Sequence, residues 1–199
     1  EKLDEETIRR IELDVSQKLI QKGIRPTKLT FDTTNFYTHI EHGENLPKKE
    51  FSKDKRYDKN LIGVGLTTSN KNIPFQTITY PANVPDSTLF SDLIDNICKR
   101  IEEIGIPLEE ITIVFDRGMN STDNIEHVLD KMHVVGALPS SMCKDLFQIS
   151  LSDFEEEWEN GKKNVVKVHR IKGTWYEKEF TGTIKYSETT KRKQMYEWE

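Results

Sequence analysis

The chain has 199 residues, 35% hydrophobic and 32% charged, with a net charge of -5; the length suits one domain of ordinary size, and the charged share exceeds the usual quarter. The longest near-apolar run, Leu61 to Leu66, has six residues, against the roughly 20 of a spanning helix, which excludes a transmembrane helix. Cys98 and Cys143 stand 45 positions apart with no CxxC and no clustered histidine, which excludes a disulfide framework and a structural zinc site and favours a reducing, cytoplasmic compartment.

In chain order, Ile8, Ile11, Val15 and Leu19 recur at helical spacing over residues 5–22, with Asp4 as N-cap and Gly23 as stop, so an amphipathic helix is expected to lead the domain. After Pro26, residues 28–40 alternate Leu29, Phe31 and Thr33 against Thr30, Asp32 and Thr34, a strand with an acid on one face. A polar, lysine-rich loop fills 41–59. Two β-rich runs, 61–68 and 73–80, are split by Ser69–Asn72, a loop short enough for a hairpin. The period then changes. Asp86 is the expected cap of a helix whose stripe is Leu89, Phe90, Leu93, Ile94, Ile97, Ile101 and Ile104, closed by Gly105. ITIVF (111–115) reads as a strand buried on both faces, ending in Asp116, Arg117 and Gly118. A second helix starts at Asn120 or Ser121 with Ile125, Val128, Leu129 and Met132 inward, and 133–138 is the last core strand. The order β-β-β-α-β-α-β, with right-handed crossovers, sets the fourth and fifth strands parallel to the first and on one side of it. Asp32 and Asp116 then approach across neighbouring strands. Beyond residue 148 an acidic, helix-like stretch leads into a small β-rich segment. The expected division is a core over 1–147 and an attached segment over 148–199.

Charge is unevenly spread. Residues 47–60 carry six basic and three acidic groups, and 161–178 carry six basic and one acidic, set off by five acids in 153–159. Two local footholds for a polyanion result, although a solvated face accounts for either stretch as well. An acid inside a strand and another at the end of a buried strand are costly places for unpaired charge. A magnesium ion held by oxygen ligands is the economical answer; the bland alternative is that Asp32 makes local turn hydrogen bonds and Asp116 pairs with Arg117 or caps a helix. There is no GxGxxG, Walker A, GxSxG or HExxH motif. His39 and His42, at a strand end, tend to face opposite sides, and His127, His133 and His169 read as isolated structural residues. Trp158, Trp175, Tyr176 and Trp198 suit either base stacking or a small core.

Several motifs in one order carry a resemblance: FDTTNF (31–36), SKDKRYDKN (52–60), IPF through YPANVPDSTLF (73–90), IVFDRGMNS (113–121) and VVGALP (134–139). Over roughly residues 5–150 the chain resembles the catalytic domain of DDE transposases from bacterial insertion sequences. The resemblance implies an α/β fold with a ribonuclease H-like mixed five-stranded sheet, flanking helices and a C-terminal β-rich insertion. It also implies a cytoplasmic, DNA-bound enzyme that cuts transposon ends and joins the freed 3'-hydroxyl to target DNA. Within that pattern Asp32 corresponds to the first catalytic aspartate and Asp116 to the second, holding two magnesium ions, or manganese as substitute. Lys53, Lys55, Arg56 and Arg117 would contact DNA phosphates, and a homodimer would bring two ends together. Two departures are visible. Ala82 precedes Asn83 where the family has glycine, and neither Tyr186 nor Tyr196 is followed by arginine three residues on, so Glu188, Glu197 and Glu199 are poor candidates for the third acid. The chain opens at Glu1 without methionine and closes in a polar run. It is therefore expected to be a piece of a longer protein whose third acid follows Glu199 and whose sequence-reading region precedes Glu1, the piece alone being inactive. Two rivals stand beside this reading: an actin-like ATP-dependent phosphotransferase, for which DTTN lacks the glycine-rich hairpin, and an inactive or repurposed DNA-binding module.

Overall fold

The structure is a computed structural model that describes residues 4–40, 58–159 and 165–196. The chain divides into two compact units, Glu1–Ala137 and Leu138–Glu199.

In the first unit, α1 (Glu5–Gln21) opens on Asp4, whose carboxylate accepts the Thr7 N–H at 2.8 Å. It closes ahead of Gly23 at a φ of 78°, a left-handed turn that glycine adopts without strain. Strand β1 (Lys28–Thr38) follows, then β2 (Asn60–Ser69), a one-turn connection at Asn70–Asn72 and β3 (Ile73–Pro81). Helix α2 (Asp86–Glu103), β4 (Thr112–Val114), α3 (Thr122–Leu129) and β5 (His133–Val135) complete the unit. The sheet order is β3-β2-β1-β4-β5, with β1–β2 and β2–β3 antiparallel and β1–β4 and β4–β5 parallel. This is the α/β, ribonuclease H-like mixed sheet that the motif order implies, and the fourth strand does lie beside the first.

The period-two alternation of β1 decides which face is which. Leu29, Phe31 and Thr33 are buried with Leu61, Thr67, Ile113 and Phe115, on the face that α2 and α3 cover with Phe90, Leu93, Ile94, Ile97, Ile101 and Val128. Phe90 and Phe115 meet edge-on with centroids 4.6 Å apart. Gly65 is required there, because a Cβ would stand 2.8 Å from both the Phe31 ring and Ile78. On the opposite face Asp32, Leu66, Val135 and Asp116 are exposed.

Several expectations change. The α1 stripe Ile8, Ile11 and Val15 does not enter the core but faces solvent; the side with Glu12, Leu13, Ser16 and Ile20 turns inward instead. The reason is a long-range ion pair. The buried Arg100 guanidinium donates to Glu12 Oε2 at 2.6 Å and to the Phe75 carbonyl at 2.7 Å, while Glu12 Oε1 accepts the Thr77 N–H at 3.2 Å. Helix α1 is thereby tied to β3, the edge strand, and two of its edge groups are satisfied. Asp86 is the first residue of α2, and the cap position is Pro85, which supplies no side-chain bond. Strand β5 is the last strand of the core sheet, as expected, but it is a short edge strand with His133 and Val135 exposed, and β4 is fully buried on one face only.

The second unit carries a three-stranded antiparallel sheet, β6 (Glu156–Glu159), β7 (Val165–Trp175) and β8 (Lys178–Tyr186), in the order β6-β7-β8, and ends in α4 (Glu188–Tyr196). The acidic stretch expected to be helix-like is therefore strand β6, because pairing with β7 from Glu156↔Val168 to Glu159↔Val165 supplies its backbone partners. Trp175 and Tyr176 are buried in this unit, and the Trp175 ring lies over Gly173 and Gly182. Trp158 is exposed, with the Arg170 guanidinium over its ring. Trp198 lies outside the described residues.

Candidate functional site

Strands β1 and β4 run in parallel register from Lys28↔Thr112 through Thr30↔Val114. Carrying that register two residues on sets Asp116 opposite Asp32, and the backbone remains extended at Asp116 (φ -78°, ψ 160°). Residues two apart along a strand share a face; Asp32 lies on β1 and Asp116 two residues beyond the end of β4, and both are exposed. They also stand where the parallel strand β4 ends, the place at which open α/β sheets bind ligands.

The costly burial expected for these acids is not found: Asp32 and Asp116 are both exposed. No desolvation penalty therefore demands a cation. Each carboxylate has one local backbone bond, Asp32 Oδ1 from the Thr33 N–H at 2.8 Å and Asp116 Oδ1 from the Arg117 N–H at 2.6 Å. The second bond caps the turn Arg117–Met119. Among the described residues neither acid has an ion pair.

Four residues after Asp116, the Asn120 amide donates to the Ala137 carbonyl at 2.5 Å and joins the loops after β4 and β5. Its Oδ1 is buried and has no hydrogen-bond partner among the described residues. The sequence marks Asn120 only as a helix start, since a bond between two loop ends leaves no periodic signal; the helix cap is in fact Ser121, which accepts the Asn124 N–H at 3.1 Å. Arg117 is exposed beside Asp116. Lys53, Lys55 and Arg56 lie outside the described residues, as does His42.

As donors, two solvent-reachable carboxylates with free oxygens fit magnesium, which accepts one or two carboxylates and keeps several waters. Among the described residues no group of three or more His, Cys, Asp or Glu stands together, so two ligands are what this part of the chain offers. His127 is not isolated. Its ring Nε2 is 2.9 Å from Asp95 Oδ1, which also accepts from Lys131 Nζ at 2.8 Å, and the Lys131 hydrogen bond holds the Asp95 carboxyl below its ordinary value. Burial pushes the nearby Cys98 thiol up to about 11, so it is no nucleophile at neutral pH. His169 bonds the Asp153 carbonyl at 2.7 Å, a structural role. No described helix is long and apolar enough to cross a membrane.

No family model matches the sequence, and no curated protein matches it. Among solved structures the chain is similar to the Mos1 transposase in its paired-end complex with the left transposon end, at 11% identity and a TM-score of 0.36. That similarity covers 67% of this chain, and the chain spans 43% of the length of the transposase chain.

Proposed function

We propose that this chain is the catalytic part of a DDE-type DNA transposase. It would cut the ends of a transposon and transfer the freed 3'-hydroxyls to double-stranded target DNA. The observation that supports the reading is the parallel β1–β4 register, which runs to Thr30↔Val114, two residues short of Asp32 and of Asp116, acids that 84 residues separate in sequence. The motif order around those two acids supports it.

Asp32, on the central strand, and Asp116 would hold magnesium, with a glutamate outside the described residues as the third acid. Bound magnesium supplies charge that activates a water or 3'-hydroxyl and stabilises the leaving oxygen. The protein's own part is orientation. The Thr33 and Arg117 N–H groups each occupy one carboxylate oxygen and leave the other for a ligand. Arg117, with Lys53, Lys55 and Arg56, contacts DNA phosphates, which positions the backbone without reading sequence. Residues 1–147 form the catalytic core and 148–199 the insertion, and the working assembly is a homodimer.

The test is strand cleavage by the full-length protein on DNA carrying its transposon ends, with magnesium or manganese. Asp32→Asn and Asp116→Asn are each expected to lose cleavage at least about a thousandfold while retaining DNA binding within a few fold. Cutting at the wild-type rate by either variant would contradict the proposal. A second reading is favoured by one observation: each acid is already satisfied by a backbone N–H, as in a module that holds DNA without catalysis. Unchanged DNA binding with no metal-dependent cutting by the wild type selects that reading.

A further inference from the structure

Helix α1 presents an apolar stripe outward. Ile8, Ile11 and Val15 are 45%, 47% and 47% exposed, whereas the inward side of the helix is held by Glu12, Leu13, Ser16 and Ile20. Scattered apolar residues on a surface are ordinary; three on one stripe of one helix are not scattered. Extending the spacing gives Asp4, Ile8, Ile11, Val15, Lys18 and Lys22, alternating steps of four and three, which is the seam of a paired helix.

The charges along this seam have a direction. Asp4 and Glu5 stand at its start and Lys18 and Lys22 at its end, and among the described residues none of the four makes an ion pair. A second copy laid parallel would set acid on acid and lysine on lysine. Laid antiparallel about Ile11, it sets Ile11 against Ile11, Ile8 against Val15, and the Asp4–Glu5 end against Lys18. Such a contact is its own complement under a two-fold axis, the property that a closed dimer requires. We infer that the outer face of α1 is a homodimer interface, occupied by α1 of a second copy of this chain in antiparallel register centred on Ile11.

The interface is small and the expected association correspondingly weak, so sedimentation equilibrium should extend to roughly 1 mM protein. The wild type is expected to approach twice the chain mass, and Ile11→Glu to remain monomeric with an unchanged circular dichroism spectrum. Lys18→Glu should weaken association about tenfold, and adding Glu5→Lys should restore it to within about threefold, a rescue that a merely apolar contact would not show. In a Cys143→Ser background, Ile11→Cys should form a disulfide-linked dimer with oxidised glutathione, and Gln17→Cys, on another side of the helix, should not. A wild type that is monomeric at every concentration, as it would be if the stripe served a different protein, overturns the inference. So does a dimer indifferent to Ile11→Glu, and failure of the charge swap to restore association overturns the antiparallel register.

Discussion

The two faces of the five-stranded sheet use the same strands for different ends. On the helix-covered face, alternate residues of β1, β2 and β4 are buried: Leu29, Leu61 and Ile113 have no exposed surface, and Phe31 and Phe115 have very little. On the other face the intervening positions hold Thr30, Asp32, Leu66, Val114, Val135 and Asp116, all half-buried or exposed. Burial is therefore concentrated on one side of a sheet one residue thick, and the exposed acids stand on the other. A substitution moved by a single position along β1 or β4 should change the kind of defect, not only its size.

The largest effect belongs to the covered face. Phe90→Ala removes a fully buried ring packed edge-on against Phe115, and a loss of about 3–5 kcal/mol is expected from the denaturation midpoint in urea. Next is the pair that binds α1 to the sheet edge. Glu12→Ala leaves the 5%-exposed Arg100 without its carboxylate, facing the Phe75 carbonyl and ring, and about 3 kcal/mol should be lost, near the low end for breaking a buried ion pair because Glu12 is partly exposed. If the loss is below about 1 kcal/mol, the pair does not hold the helix. Gly65→Ala should cost roughly 1–3 kcal/mol, since the Phe31 ring and Ile78 would have to move.

The open face should behave in the opposite way. Asp32→Asn is expected to change stability by less than about 0.5 kcal/mol, as is usual for an exposed position, while removing metal binding. Asp95→Asn, whose carboxylate is 58% exposed, is likewise a small effect, with a loss of less than about 1 kcal/mol expected. The sign of its pH dependence is fixed. The folded carboxyl titrates below its unfolded value of about 3.9, so its contribution is present above that value and disappears as pH falls through the folded one. Wild type and Asp95→Asn should therefore converge in urea midpoint on acidification; a gap that widens would reverse the assignment.

What the sequence discloses follows from the same contrast. Strand β1 is legible because burial on one face forces strict alternation, and α2 because Phe90, Leu93, Ile94, Ile97 and Ile101 all enter one core. The neighbouring placement of Asp32 and Asp116 follows from strand order and crossover hand, which are general rules. Helix α1 misleads because its best apolar spacing, Ile8–Ile11–Val15, competes with a Glu12–Arg100 pair formed across 88 residues, which no local period reports. Strand β6 misleads because Glu156 to Glu159 have little intrinsic preference for a strand and acquire it from β7. The exposure of Asp32 follows from the same alternation, which sets it on the face opposite Leu29 and Phe31; that of Asp116, beyond the end of β4, does not.

The central claim is that Asp32 and Asp116 form one cation site on the open face. The most direct measurement is a manganese titration of this chain, followed by electron paramagnetic resonance, for the wild type, Asp32→Asn and Asp116→Asn. The prediction is saturable binding in the wild type that weakens at least about tenfold in each variant, with all three proteins unfolding at the same urea concentration within error. Equal manganese binding by the three proteins would contradict the shared site and leave the two carboxylates as caps of their own backbone.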